Sequence, residues 1–473
     1  IKKRKMVMSD VGVVQSIPRV SLNGRSALVA TLAAVAGLMF GLDLGVISGA
    51  LKFIGIEFQV NDFGKECIVS GMMVGAALGA LFGGRLSYVL GRKKLLIISA
   101  LLFISGSALC ALAPSVALLI GGRVVLGLAI GVASFTAPLY ISEIAHQQHR
   151  GALISVYQLM ITVGILVAFI SDALLAYSGS WRWMLGIVGI PGVLFLIGVL
   201  FLPDSPRWLV LRGRHDEAFD VLHGLRGNDA HARDEIVEIR EQLAQSDGGY
   251  TLFKKNPNFR RAVYLGVALQ AIQQFTGINV VMYYAPHIFE MAGFGTSAAL
   301  WGTVIVGLVN VLSTFIAIGY VDRWGRRPML IAGFVMMALG MFTVGMLLYF
   351  GTGDSDLARY AAVAMLLCFI VGFAFSAGPL VWILCSEVQP IKGRDFGIAC
   401  STFTNWGTNM IVGLTFLSLL TAMGNAQTFW LYALLNLVFI FVTMKFVPET
   451  RGVSLEQIER NLMAGKPLNR IGL

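Results

Sequence analysis

The chain has 473 residues, of which 56% are hydrophobic and only 13% are charged. A soluble globular protein carries about 25% charged residues, so this chain lacks the polar groups to cover a water-facing surface. The composition excludes a cytosolic enzyme, a disordered protein and a secreted disulfide scaffold, and it predicts an integral membrane protein. The net charge of +10 calls for no nucleic-acid partner, because cytoplasmic loops of membrane proteins collect Lys and Arg.

Twelve apolar runs follow one another along the chain, each near the ~20 residues that a helix needs to cross a bilayer. The runs are continuous, which favours helices over the alternating strands of a β-barrel. They lie at 27–50, 66–88, 95–113, 116–137, 152–177, 183–203, 261–289, 298–321, 328–350, 360–386, 395–421 and 426–447. We therefore expect an all-α membrane protein with a tail at 1–26, a six-helix half at 27–203, an insert of short cytoplasmic helices at 204–260, a second six-helix half at 261–447 and a tail at 448–473.

The positions of Lys and Arg predict how the chain is oriented. Thirty-one of the 36 lie in the two tails, the insert and the loops on that side, whereas the opposite loops hold four. Because positive charge is retained inside the cell, both termini and the insert are expected in the cytoplasm.

Three motifs recur in the same order in the two halves. The recurring pairs are Gly91-Arg92-Lys93 with Gly325-Arg326-Arg327, Glu143 and Arg150 with Glu387 and Arg394, and Pro203-Asp204-Ser205 with Pro448-Glu449-Thr450. Duplicated six-helix halves with a site between them are typical of alternating-access transporters.

Several of these stretches resemble the signatures of the sugar porter family of the major facilitator superfamily. They are Pro203-Asp204-Ser205-Pro206-Arg207-Trp208, Gln273-Gln274-Phe275-Thr276-Gly277-Ile278-Asn279, Asp322-Arg323-Trp324-Gly325-Arg326-Arg327 and Pro448-Glu449-Thr450. The resemblance implies the major facilitator fold and proton-coupled uptake of a monosaccharide, galactose foremost, with glucose or arabinose as alternatives. It further implies a monomer in a bacterial inner membrane. No phosphate-binding Gly-rich loop or metal cluster is found, so we expect no cofactor and a proton gradient as the energy source.

Two isolated charges of opposite sign lie inside apolar runs, Asp43 in the first and Arg123 in the fourth. Charges at bilayer depth are costly and usually pair or face a cavity. Counting from the span ends places each ~10 Å from the outer surface, which predicts an ion pair. The resemblance implies that Asp43 is the proton site, whereas a purely structural ion pair is the alternative.

Sugars are neutral polyols, so their sites need amides for the hydroxyls and aromatic faces for the ring. The resemblance implies sugar contacts at Gln158, Gln273, Gln274, Asn279, Trp382 and Asn405. Trp406 offers a second indole, and Phe40 and Tyr283 are expected to line or gate the cavity. Any single amide could instead only bridge two helices.

Gly277 and Gly378-Pro379 interrupt long apolar runs. Such residues weaken helical hydrogen bonding, and in transporters broken helices line the cavity and act as hinges. Ordinary tolerance of Gly and Pro in membrane helices is the alternative.

Charged residues recur at the cytoplasmic span ends: Arg92, Glu143, Arg150, Arg326, Glu387 and Arg394. The resemblance implies salt bridges between the halves that close an inner gate in the outward-open state. Each charge could equally be an orientation signal.

Three other functions fit the sequence less well. A facilitative uniporter of the same fold would not need Asp43. A sugar sensor would be expected to carry a longer tail than the 26 residues after the last span. A membrane enzyme would need clustered nucleophiles or paired carboxylates in its outer loops.

Overall fold

The computed structural model describes residues 24–145, 150–244, 249–351, 355–390 and 393–472. Within these residues twelve helical spans are long and apolar enough to cross a membrane, as predicted. The first half comprises α1 (Gly24–Phe58), α2 (Asp62–Leu90), α3 (Arg92–Ala111), α4 (Val116–Ile144), α5 (Arg150–Leu175), α6 (Trp181–Ile187) and α7 (Gly189–Leu200). Helices α6 and α7 together form the sixth span.

Four short helices connect the halves: α8 (Pro206–Leu211), α9 (His215–Arg226), α10 (Asp229–Ala244) and α11 (Gly249–Lys255). The second half comprises α12 (Pro257–Phe275), α13 (Ile278–Met291), α14 (Thr296–Trp324), α15 (Arg326–Phe350), α16 (Asp356–Gly372), α17 (Gly378–Glu387), α18 (Arg394–Met423) and α19 (Asn425–Phe446). The tail forms α20 (Leu455–Met463). We call the side that carries α8–α11 and α20 the insert side, and the opposite side the distal side.

The expected end of the first span, at residue 50, is wrong. Helix α1 continues to Phe58, because Lys52 does not stop it: the Lys52 ammonium donates to Glu290 Oε1 and to Thr296 Oγ1, both at 2.5 Å. Asp43 therefore lies fifteen residues before the end of α1, or ~22 Å along the helix. Its partner Arg123 nevertheless lies seven residues from the start of α4, which is the ~10 Å expected from the sequence.

Glycines let neighbouring helices approach closely within the first half. A Cβ atom at Gly41 of α1 would lie 2.0 Å from the carbonyl oxygen of Ile161 on α5. On α4, a Cβ atom at Gly127 would lie 1.9 Å from the carbonyl oxygen of Met72 on α2. Small residues at such crossings maximise backbone contact, which is how helices associate in lipid.

Two spans of the second half are broken where the sequence predicts. Gly277 has φ +92° and separates α12 from α13. A π-helical turn at Phe373–Ala377 separates α16 from α17 just before Gly378. Wide turns of this kind leave backbone groups unpaired and occur often at functional sites, so both breaks place polar backbone inside the bundle.

Hydrogen bonds between the two halves cluster at the distal helix ends. Besides the Lys52 contacts, the Trp301 indole N–H donates to Tyr177 Oη at 3.3 Å, and Ser418 donates to Glu66. These contacts join α1, α2 and the short 3₁₀ turn after α5 to α13, α14 and α18. The bundle is therefore closed on its distal side.

Candidate substrate and proton site

Asp43 and Arg123 form the expected ion pair. Arg123 Nη1 donates to Asp43 Oδ1 at 2.6 Å, and the side chains are 1% and 0% exposed. Asp43 lies on α1 and Arg123 on α4, so the packing of these two helices brings the pair together. Among the described residues, Asp43 Oδ2 and the Nε and Nη2 atoms of Arg123 have no hydrogen-bond partner. The two side chains are therefore joined by a single hydrogen bond, although the polar atoms of buried charged groups usually all have hydrogen-bond partners.

A group of amides occupies the second half, where α12 faces α18. Asn405 Nδ2 donates to Gln273 Oε1 at 2.8 Å and to Gln270 Oε1 at 2.6 Å. Gln273 Nε2 in turn donates to the carbonyl oxygens of Ala377 and Gly378, at 2.8 and 2.9 Å. The amides are thus tied directly to the break between α16 and α17.

A second polar group spans the Gly277 break. Asn279 Nδ2, on the far side of the break, donates to Gln274 Oε1. One turn further on, Tyr283 Oη accepts from Asn409 Nδ2 at 3.1 Å. Gln273, Gln274, Asn279, Tyr283 and Asn405 are all buried, so the structure gathers five of the predicted site residues in one half.

Aromatic rings join the halves near mid-span. The rings of Phe40 and Trp406 lie 5.2 Å apart, tilted by 53°. Gln158 is half-buried on α5, and the carbonyl oxygen of the preceding Tyr157 lies against Gly37 on α1. Trp382 on α17 is 37% exposed and, unlike the amides, is not enclosed by the bundle.

Four of the predicted gate charges form salt bridges, each within one half, among the described residues. Arg92 makes a bidentate salt bridge to Glu143, at 2.8 and 2.7 Å, and Arg326 Nη2 donates to Glu387 Oε1 at 3.0 Å. The Arg394 guanidinium donates to the backbone oxygen of Gln389 at 3.4 Å. The side chain of Arg150 lies outside the described residues. Pairing within a half fits a bundle that is closed on the opposite, distal side.

Sequence reasoning missed two hydroxyls that complete these salt bridges. Ser205 Oγ donates to Glu143 Oε2 and Thr450 Oγ1 donates to Glu387 Oε2, both at 2.5 Å. The signal was present, because Ser205 and Thr450 are matching positions of the repeated Pro-acid-hydroxyl motif. Each half therefore ends on the insert side in an Arg–Glu–hydroxyl group.

Sequence reasoning also missed polar residues buried in the spans. Asp172 on α5 is 2% exposed and its Oδ2 accepts from the Gly49 N–H at 2.9 Å. Gln270 and Asn409 complete the amide groups already described. A lone acid within the fifth apolar run was the available signal for Asp172.

The arrangement suits recognition of a polyol beside a charge that can be neutralised. The Gln270 amide nitrogen and the Trp406 indole nitrogen are buried donors without a partner among the described residues. Sugar hydroxyls can accept from such donors, and the Phe40 and Trp406 rings can cover an apolar ring face. The structure thus offers both chemistries that a neutral sugar needs.

Comparisons with known proteins agree with this geometry. Residues 29–462 match the family model described as "Sugar (and other) transporter". The chain is 60% identical to the galactose-proton symporter of Escherichia coli strain K12, over 96% of this chain and 99% of that protein. It is 55% identical to the arabinose-proton symporter of the same strain, over 94% and 95%.

A solved structure shares the fold. The partially occluded, inward-open form of the xylose transporter XylE from E. coli superposes with a TM-score of 0.79 at 30% identity, covering 90% of this chain and all of that one. The twelve-helix, two-half architecture is that of the major facilitator superfamily. These matches and the family model place the chain among transporters, and it belongs to the sugar transporter family.

Proposed function

We propose that this protein takes up a monosaccharide together with a proton across a bacterial inner membrane, by alternating access. The observation that carries the proposal is the buried Asp43–Arg123 pair, in a bundle that also contains buried amides and the buried Trp406 indole. A passive carrier needs the amides but has no use for an ionisable acid at this depth.

The pair supplies a way to link proton binding to conformation. When Asp43 is ionised, Arg123 compensates its charge. When Asp43 takes a proton, the attraction falls and Arg123 is released toward other partners. Sugar bound between the halves would favour their closure around it. With both sites filled the halves rock, and the proton gradient contributes ~2.3 kcal/mol per charge per 100 mV.

Galactose is the substrate we propose first. The support is that the 60% identical relative is named a galactose-proton symporter, whereas the arabinose-proton symporter is 55% identical. Glucose and arabinose remain the competing substrates. Glucose differs from galactose in the configuration of one hydroxyl and arabinose is one carbon shorter, so all three sugars present ring hydroxyls to the same donors and acceptors.

The domain division and orientation belong to the same proposal. We assign the transport unit to the halves 27–203 and 261–447, with the insert 204–260 and the tails 1–26 and 448–473 in the cytoplasm. The Lys and Arg excess supports this orientation. A single chain contains both halves, which supports a working monomer. Exposed apolar side chains on the outer helices, such as Leu194 and Leu434, would face lipid.

Uptake of labelled galactose into vesicles with an imposed pH gradient tests the proposal. We expect accumulation above the outside concentration, together with alkalinisation of an unbuffered medium when sugar is added. A uniporter would only equilibrate the sugar and leave the pH unchanged. A sensor would bind sugar without uptake. Competition by unlabelled glucose, arabinose and xylose ranks the substrates, and stronger inhibition by any of them than by galactose contradicts the galactose assignment.

A further inference from the structure

Glu66 is a buried carboxylate that connects the two halves. It lies in the second turn of α2 and is 0% exposed. Its Oε1 accepts from the backbone N–H of Ser418 at 2.8 Å, and its Oε2 accepts from Ser418 Oγ at 2.6 Å. Both oxygens of one carboxylate therefore hold a single residue of α18, near the distal end of that helix.

The neighbouring contacts make this carboxylate the central one of the distal closure. One turn deeper, Ser70 of α2 lies against Gly413 of α18: a Cβ atom on that glycine would lie 3.1 Å from Ser70 Oγ. Nearer the surface, the exposed Asp62–Thr421 contact is long, at 3.5 Å. The Lys52–Glu290 pair is 40% and 27% exposed, and exposed pairs contribute little. Separating α2 from α18 must break the Glu66 contact.

The contact is suited to being made and broken repeatedly. In the closed state two hydrogen bonds to an ionised acceptor, each stronger than a neutral one, compensate the carboxylate for lost water. In an open state water would hydrate the same carboxylate, which offsets part of the free energy that the contact contributes to the closed state. A change at Glu66 then shifts the populations of the two states, because it alters an interaction that only one of them has.

We infer that the Glu66–Ser418 contact is the latch that holds the distal side closed and sets how often the protein opens there. The inference rests on the proposed alternating access, since it needs a second state with separated distal ends. In this role Glu66 positions α2 against α18 and contacts neither the sugar nor the transported proton.

Double electron–electron resonance, which measures the distance between two spin labels, tests the latch in the full-length chain. Labels on Leu112→Cys and Leu357→Cys, 79% and 82% exposed at distal helix ends of the two halves, report the distal separation. The five native cysteines are replaced by serine, and this parent must retain transport. We expect Glu66→Gln to raise the population with long distances, relative to that with short distances, by about tenfold. The reason is that the two hydrogen bonds to Ser418 lose their ionised acceptor.

Glu57→Gln is the matched control. Glu57 lies on the same side of the molecule, but its carboxylate binds Arg182 at 2.8 Å and Trp181 at 2.5 Å within its own half, so the distances should not change. Ser418→Ala removes the hydroxyl and keeps the N–H, and should give a smaller shift of the same sign even if Glu66→Gln does not fold.

Unchanged distances in both Glu66→Gln and Ser418→Ala overturn the latch, as does an equal shift in Glu57→Gln. The distances are read without sugar or proton gradient. Failure of the native protein, with its cysteines intact, to take up sugar would therefore count against the proposed function without changing how these distances are interpreted.

Discussion

Arg123 holds Asp43 by one hydrogen bond of 2.6 Å, and the second oxygen of that carboxylate has no partner among the described residues. The buried Arg92–Glu143 salt bridge differs, because Arg92 engages both carboxylate oxygens. The incomplete pairing leaves a position at Asp43 where a proton can be added without first breaking a bidentate contact.

Asp43→Asn should abolish accumulation of sugar against its gradient while leaving sugar exchange. The amide keeps the shape of the side chain but cannot bind and release a proton. One proton driven by 100 mV supports an accumulation of about 50-fold, and the variant should fall to a ratio near one in the same vesicles.

Asp172→Asn is the control for that experiment. It neutralises another buried acid of the first half, and its amide oxygen can still accept from the Gly49 N–H that now binds Asp172 Oδ2. Uphill uptake should persist. Undiminished accumulation by Asp43→Asn, or its loss in both variants alike, would contradict the coupling role of Asp43.

Gln273→Ala should weaken sugar binding by about tenfold, the loss expected for one well-placed hydrogen bond in a buried site. It also removes the link from Asn405 to the π turn. Quenching of tryptophan fluorescence on titration with galactose measures the affinity, since Trp406 is buried beside the site.

Gln389→Ala is the control, because Gln389 is another buried amide, bonded at 3.0 Å to the Ala262 carbonyl oxygen on the insert side. Equal affinities for Gln273→Ala and the parent would remove Gln273 from the site.

The spans and the central ion pair could be predicted from the sequence because each has a local or compositional signal. Twenty apolar residues specify a helix in lipid, and two lone opposite charges in such helices have few other partners. The end of α1 could not be predicted. Lys52 ends the apolar run, but its partner Glu290 lies 238 residues away, so only the tertiary contact explains why the helix continues.

The polar contacts of the site were only partly predictable for a related reason. The sequence shows which amides lie in the spans, but rotation of each helix decides which of them meet. Gln273 and Asn405 meet, whereas Trp382 remains 37% exposed. The contact of Glu66 with the second half could not be predicted from the sequence, because an acid four residues from a helix start is usual at a membrane surface.

Glu143→Gln should lower stability more than any exposed charge change on the insert side. Its carboxylate holds Arg92 and Ser205, and breaking a buried pair by removing one partner costs about 3–5 kcal/mol. The melting temperature of the purified protein should therefore fall by several degrees. Glu217→Gln removes an exposed pair with Arg214 at the start of α9 and should change the melting temperature little. Equal melting temperatures for Glu143→Gln and Glu217→Gln would show that the buried group is not structural.

Gly277→Ala should slow transport because two independent features of the break require glycine. Its φ of +92° is unfavourable for any residue with a Cβ, at about 1–2 kcal/mol, and a Cβ atom would lie 2.9 Å from the Tyr432 ring. The initial rate of galactose uptake, at matched protein levels, should fall several-fold.

Gly179→Ala carries a similar backbone cost at φ +65° but meets no atom within 4 Å, and it lies outside the break, so it should transport at nearly the parent rate. If both variants lose the same activity, backbone strain alone explains the effect. If Gly277→Ala transports normally, the break between α12 and α13 does not need its present geometry for the transport cycle.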